Sequence, residues 1–292
     1  MPRLSQLSRS IAGRAALVTG AASGMGRATA RLFADEGAQV AVTDLNQAGA
    51  LAVAEEIRAA GGNARAWALD VTSAEQIRRV VEEIATAFGR LDILVNNAGL
   101  IAGGPIDGEG FEAQWQLGLD VMLTGPMRLI RAALPHLARS DAARIVNIAS
   151  TEGLGAQSGA APYTAAKHGL VGLTRSLAVD LGPRGITVNC ICPGWTNTSM
   201  VDFANLGAHM GTSAEAARAY RGPIALMSFD PAVMTALRAL APTIPRGIVS
   251  GSYATGDAEW WSDALSAERR AALRDLLESG PAQPSFFITV RS

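Results

Sequence analysis

The sequence predicts an α/β fold built on a doubly wound parallel sheet, and three observations predict it. Between residues 14 and 182, short runs rich in valine and isoleucine alternate with longer stretches of helical periodicity. Several of those runs are apolar throughout, the pattern of strands buried on both faces. A glycine-rich turn follows the first run directly and opens the first helical stretch. Alternation of this kind implies right-handed βαβ units.

In order, strands are expected at Ala15–Thr19, Gln39–Thr43, Ala64–Leu69, Ile93–Asn96, Arg144–Ala149 and Ile186–Ile191. Helices are expected near 24–36, 46–60, 73–88, 110–138 and 162–182. Ser73 and Gln76 have the spacing of a capping box for the third helix. Gly182-Pro183 is read as the stop of the last one. Beyond about residue 200 the alternation ends and proline and glycine become frequent. One helix is expected there, Ala267–Ser279, capped by Ser266 and ended by Gly280-Pro281, and Phe286–Val290 has the composition of a final strand. The chain is therefore divided into residues 1–200, the alternating unit, and 201–292, an atypical C-terminal segment. No internal repeat is present.

Composition narrows the function. The chain has 292 residues, enough to bury a full core. A net charge of −1 with 49% apolar residues excludes a nucleic-acid footprint and a polybasic membrane patch. No apolar run reaches the roughly 18 residues of a membrane span, and the N-terminus lacks a signal-peptide core, so a cytoplasmic protein is expected. Cys190 and Cys192, two apart on the sixth strand, point to one face and do not easily bridge each other. They are read as buried thiols of a reducing compartment. His136 and His168 are read as surface or packing residues, and no metal site is expected, because metal ligation needs a cluster the sequence does not offer.

The chemistry-bearing residues come in five groups. Tyr163 and Lys167 stand four residues apart, so a helix puts phenol and ammonium on one face. The ammonium is expected to lower the phenol pKa from about 10 toward neutrality, making a usable acid and base. Ser150, thirteen residues upstream, ends the fifth strand. The turn Thr19-Gly20-Ala21-Ala22-Ser23-Gly24-Met25-Gly26 suits a pyrophosphate: Gly20 permits the turn, Gly24 the approach of the backbone, and Gly26 close helix packing. Asp44 ends the second strand eighteen residues past Gly26, where a carboxylate accepts hydrogen bonds from ribose hydroxyls and repels a 2′-phosphate. Leu45, not an arginine, follows it, which favours NAD over NADP. Asp70-Val71 ends the third strand, where an adenine contact is expected, and Asn96-Asn97-Ala98-Gly99 ends the fourth, where a small-residue turn leaves room for a ribose. Pro193-Gly194-Trp195-Thr196-Asn197-Thr198 follows the sixth strand, with polar groups for a carboxamide or phosphate.

The order and spacing of these motifs resemble the short-chain dehydrogenase/reductase family over roughly residues 10–200. The resemblance implies a Rossmann-like fold, a nicotinamide cofactor, and hydride transfer between a secondary alcohol and a ketone. Carried over by position, it implies that Ser150 holds the substrate oxygen, Tyr163 is the acid/base, and Lys167 lowers the Tyr163 pKa and bonds the nicotinamide ribose. The same resemblance places the cofactor against Gly20, Ser23, Gly24, Met25, Gly26, Asp44, Leu45, Asp70, Val71, Asn97, Ala98, Gly99, Tyr163, Lys167, Pro193, Gly194, Thr196 and Thr198. It further implies a homodimer or homotetramer, with helices near 110–138 and 162–182 at the interface. Thr151, Glu152, Trp195 and residues 199–222 are expected to shape the substrate pocket.

Two features depart from the family. Met122 stands seven residues after Trp115 and before Leu123-Thr124-Gly125, where the family has an asparagine that supports a proton-relay water. A thioether cannot replace an amide as donor and acceptor, though a backbone role survives. Impaired relay is expected, and a nucleotide-binding protein of low turnover is the alternative function. The family's usual ending is also missing. Ser228-Phe229-Asp230-Pro231 and Leu240 to Val249 are similar to a fragment of a glycerophosphodiester phosphodiesterase barrel, over roughly 222–290. About 70 residues cannot close a barrel of about 250, so no phosphodiesterase activity is expected, and the segment is read as a fusion scar.

Overall fold

The computed structural model describes residues 10–196, 198, 200, 201, 213 and 215, and the backbone of 225–227 and 246–247. The expected helix over Ala267–Ser279, the strand Phe286–Val290 and nearly all of the phosphodiesterase-like segment lie outside the described residues.

Six strands form a parallel sheet: β1 (Ala15–Thr19), β2 (Gln39–Asp44), β3 (Asn63–Ala68), β4 (Ile93–Asn96), β5 (Arg144–Ile148) and β6 (Thr187–Cys192). Their spatial order is β3-β2-β1-β4-β5-β6, so the winding reverses between β1 and β4. The sheet goes on past β6 with β7 (Ala225–Met227), antiparallel to it, and β8 (Arg246–Gly247), parallel to β7. The sequence reading did not foresee this pair, because strands of three and two residues leave no periodicity to read. The other strand bounds fall within a residue of expectation. Ile186 drops out of β6 because its N–H closes a turn onto the Leu181 carbonyl at 3.2 Å.

β1 shows why the parallel strands are apolar throughout. All five of its residues are buried. Leu17 joins one core layer with Leu94, Ile145, Leu129 and Ile77, and Ala16 and Val18 join the opposite layer with Val40, Val42, Ile57 and Ala30. Helices α1 (Gly24–Asp35) and α2 (Gln47–Ala59) cover the second layer; α3 (Ala74–Phe88) and the helices after β4 cover the first. Ser73 Oγ caps α3 by accepting from the Gln76 N–H at 3.3 Å, but Gln76 Oε1 accepts from Asp70 N–H at 3.1 Å, so only half of the expected capping box forms.

The helix expected over 110–138 is three segments: α4 (Phe111–Leu119), a π-helical turn (Asp120–Thr124) and α5 (Gly125–Leu137). Pro126 supplies the cause. It has no N–H for the carbonyl of Met122, four residues earlier, and its ring crowds that carbonyl. The turn widens, and the Gly125 N–H bonds the Asp120 carbonyl instead. The last long helix, α6 (Ala161–Leu181), does not stop sharply at Gly182-Pro183. It tightens into a 3₁₀ turn over Gly182–Arg184, and Gly185, at φ 76°, ends the run. Cys190 and Cys192 are free, fully buried, and packed with Leu170 and Val171. His136 is buried, its ring 3.1 Å from Glu82 and 2.7 Å from Arg139, and the exposed His168 ring lies 3.0 Å from the Thr164 carbonyl.

The end of the sheet away from the glycine turn is held by Asp92. Its side chain is fully buried and accepts from the Ala15 N–H at 2.9 Å, from Arg90 at 2.6 and 2.7 Å, and from the Ser140 hydroxyl. Burial pushes its carboxyl up, but these hydrogen bonds outweigh burial and hold the pKa below the ordinary value. Asp92→Ala takes from Arg90 its nearest carboxylate, leaving only the longer contact to Asp141, and leaves an amide of β1 without its acceptor; it is expected to cost about 3 kcal/mol at neutral pH. Because the folded pKa is depressed, that contribution is present above about pH 4 and fades as pH falls through the folded value. Urea midpoints of both proteins at neutral and acid pH check this; a constant difference contradicts it.

Candidate active site

The winding reverses between β1 and β4, and their carboxyl ends open a crevice there. β1 ends in Thr19, whose hydroxyl accepts from the N–H groups of Asn97 and Ala98, both at 3.0 Å. The Asn97 side chain in turn donates to the carbonyls of Thr19 (2.8 Å) and Gly20 (3.1 Å). The turn after β1 is therefore nailed to the end of β4. Gly20 sits at φ 63°, and a Cβ there would lie 2.8 Å from the Ala98 Cα. A Cβ on Gly26 would lie 2.2 Å from the Gly20 carbonyl oxygen, so α1 starts pressed against the turn. Ser23 precedes α1 in extended conformation and its side chain does not cap the helix. The first N–H groups of α1 thus face the crevice. Thr198 stands over the turn, 3.2 Å from where a Gly24 Cβ would be.

Asp44 braces the turn from the side. Its two oxygens accept from Ala22 N–H (3.0 Å) and Asn46 N–H (2.8 Å), while Leu45 is 76% exposed. Asp70 and Val71 sit in the turn after β3. Asp70 Oδ1 accepts from the N–H and the hydroxyl of Thr72, and Val71 is buried against Gly125.

Ser150, Tyr163 and Lys167 converge from two elements. Ser150 leaves β5 in extended conformation, and its Oγ accepts from Glu152 N–H at 3.1 Å, starting a 3₁₀ turn over Thr151–Gly153. That turn seats on α6: a Cβ on Gly153 would lie 2.9 Å from the Lys167 carbonyl. Tyr163 stands in the first turn of α6, its phenol hydrogen-bonded to Ser150. One turn on, Lys167 is 4% exposed and donates to the Ile148 carbonyl at 2.7 Å. Its ammonium lies 5.5 Å from the Tyr163 ring centroid, over the ring.

The expected lowering of the phenol pKa is not found. Burial raises it; the Ser150 hydrogen bond pulls it down, the Glu152 charge pushes it further up, and the net direction is upward. The ammonium is drawn to the Ile148 carbonyl, and burial lowers its own pKa to about 8. Behind the pair, a Cβ on Gly99 would lie 3.8 Å from the Met122 sulfur and 3.9 Å from Lys167 Nζ. Met122 is 1% exposed and packs with Ala102, Ala166 and Tyr163. Asp120, whose carboxylate accepts from Gln116 at 2.9 Å, does not stand in for the missing amide.

A cavity of about 350 Å³ opens in front of Tyr163. It brings together Met25, Ser150, Tyr163, Pro193, Gly194, Thr196 and Thr198, with Thr151, Glu152 and Trp195. Asp44, Leu45, Asp70 and Val71 do not line it and stand toward the β2–β3 side of the sheet. The sequence reading missed two walls, residues 101–103 and 157–160. They are joined by the Gly104 N–H bonding the Gly159 carbonyl at 2.8 Å. The available signal was the small-residue run just before Pro162. Among the described residues, no helix is long and apolar enough to cross a membrane.

A parallel sheet with a glycine turn at its reversal point and a Ser-Tyr-Lys group beside it defines a dinucleotide-dependent oxidoreductase. The chain belongs to the short chain dehydrogenase family, which matches residues 14–208. It is 42% identical over 192 residues to the (2S)-[(R)-hydroxy(phenyl)methyl]succinyl-CoA dehydrogenase subunit BbsD of Thauera aromatica, covering 66% of this chain and 77% of that one. It is 39% identical over 193 residues to the 3-oxoacyl-[acyl-carrier-protein] reductase FabG of Staphylococcus aureus, covering 65% and 77%. A crystal structure of a dehydrogenase/reductase from Sinorhizobium meliloti superposes with a TM-score of 0.65 at 43% identity, over 72% of this chain and 81% of that one. Another, described as an NAD(P)-dependent gluconate 5-dehydrogenase from Beutenbergia cavernae with NADP bound at low occupancy, gives 0.64 at 40% identity, over 70% and 81%. The protein is an NAD(P)-dependent oxidoreductase. The cradle fits such a cofactor: the backbone at Gly20 and Gly26 leaves no room for a side chain, and the N–H groups opening α1 suit a pyrophosphate.

The buried lysine has a consequence for stability. Its folded pKa of about 8 lies below the ordinary 10.5, so between those values the unfolded chain binds more protons and stability rises with pH. Relative to Lys167→Met, the protein is expected to gain about 3 kcal/mol from pH 8 to 10.5. Guanidinium unfolding at intervals of pH checks it; parallel profiles contradict it.

Proposed function

We propose that the protein interconverts a secondary alcohol and a ketone, with NAD as cofactor and Tyr163 as acid and base. The observation that carries this reading is the convergence of the Ser150 hydroxyl and the Tyr163 phenol on one cavity, with the Lys167 ammonium buried behind the ring. Ser150 holds the substrate oxygen. Tyr163 gives that oxygen a proton in reduction and takes one in oxidation. When bound, the nicotinamide supplies or accepts the hydride. Lys167 keeps a positive charge against the phenol ring and holds the nicotinamide ribose.

The glycine turn, with Ser23 and Met25, carries the phosphates at the N-terminus of α1. Asp44 and Leu45 face the adenosine ribose, and a carboxylate there disfavours a 2′-phosphate. Asp70 and Val71 border the adenine, and Asn97, Ala98 and Gly99 border the ribose. Pro193, Gly194, Thr196 and Thr198 hold the carboxamide side. Residues 1–200 form the cofactor-binding and catalytic unit, and 201–292 the atypical segment. Met122 removes an amide side chain but keeps its carbonyl, which Pro126 frees from the ordinary helical bond; that supports turnover over the non-catalytic alternative. The exposed apolar side chains Trp115, Leu117, Met127 and Val179 on α4, α5 and α6 support a homodimer or homotetramer.

Tyr163→Phe removes the transferable proton and leaves the ring. Turnover with an aryl or alkyl ketone and NADH is expected to fall at least about a hundredfold, while NADH affinity by fluorescence titration stays close to that of the unaltered protein. Turnover retained by the variant contradicts the assignment.

A further inference from the structure

The cavity beside Tyr163 is chemically one-sided. Among the described residues that line it, Glu152 is the one side chain that carries a charge at neutral pH. No arginine, lysine or histidine of the described lining faces it. Much of the remaining wall is apolar: Ile101, Ala149, Trp195, Met200 and Val201. Glu152 is also well fixed. Its N–H donates to Ser150 Oγ at 3.1 Å, and its carboxylate accepts from the Thr164 hydroxyl at 3.1 Å. Those two partners belong to the elements that present Ser150 and Tyr163. Among the described residues no cation pairs with it. Lys167, the one lysine of the sequence, is turned to the Ile148 carbonyl. The carboxylate lies close enough to Tyr163 that, with burial, its charge pushes the phenol pKa up.

We propose that this site takes an uncharged alcohol or ketone with a largely apolar body, and that Glu152 is the specificity-determining residue that excludes substrates carrying a carboxylate. The proposal rests on the alcohol–ketone reading given above. A second carboxylate brought into this cavity meets a fixed like charge, and the described lining offers no counter-ion. Rejection is by repulsion, while the apolar wall accepts a neutral body of the same shape.

The test compares two ketones of equal shape, 4-nitroacetophenone and 4-acetylbenzoate, which differ in charge. Each is titrated by calorimetry into the protein and into Glu152→Gln, with and without NADH. The unaltered protein is expected to bind the neutral ketone at least about tenfold more tightly, or about 1.4 kcal/mol. In Glu152→Gln the gap closes because the carboxylate binds better, while the neutral ketone is little affected. Equal binding of both ketones by the unaltered protein overturns the proposal. So does a gap that survives the substitution, or the absence of binding of either ketone to either protein. NADH binding is measured separately: its absence sinks the cofactor reading, and the cofactor-free titrations still decide the charge preference.

Discussion

The junction between Thr19 and Asn97 is the constraint on which the site depends. Parallel strands offer only slanted backbone bonds to fix where one ends relative to its neighbour. Here a hydroxyl takes two N–H bonds from the end of β4, and an amide returns two bonds to the end of β1. The glycine turn is thereby set against β4, and Gly26 presses α1 onto it. Asp44 adds a third tie from β2 through the Ala22 N–H. The crevice is held by polar side chains pinned to backbone, so its shape does not await a ligand.

A second constraint fixes the reacting end. Among the described residues Lys167 is buried without a carboxylate partner and donates to the Ile148 carbonyl, a costly arrangement for an ammonium. What it supplies is position and charge behind the Tyr163 ring, while Glu152, on the cavity side, pushes the phenol pKa up. Burial and the Glu152 charge favour the protonated phenol in the polypeptide alone.

The sheet was legible because buried parallel strands carry unbroken apolar runs, and β1 to β6 fell close to their expected bounds. The site was legible where a motif is local, as in the glycine turn and the Tyr163–Lys167 spacing. Features that depend on tertiary placement were not. The direction of the Tyr163 shift follows from burial and from Glu152, neither visible as a spacing. The walls at 101–103 and 157–160 meet only through a long-range bond. The π turn did have a local signal, Pro126 four residues after Met122, and helical periodicity masked it. β7 and β8 are too short to signal at all.

In the function proposed above, the glycine turn set by the Thr19–Asn97 junction holds a nicotinamide dinucleotide and Asp44 makes NAD the preferred one. The most direct measurement is titration of the purified protein with NADH and with NADPH, followed by nicotinamide fluorescence. The account predicts saturable NADH binding and distinctly weaker NADPH binding. Tighter binding of NADPH, or binding of neither, contradicts it.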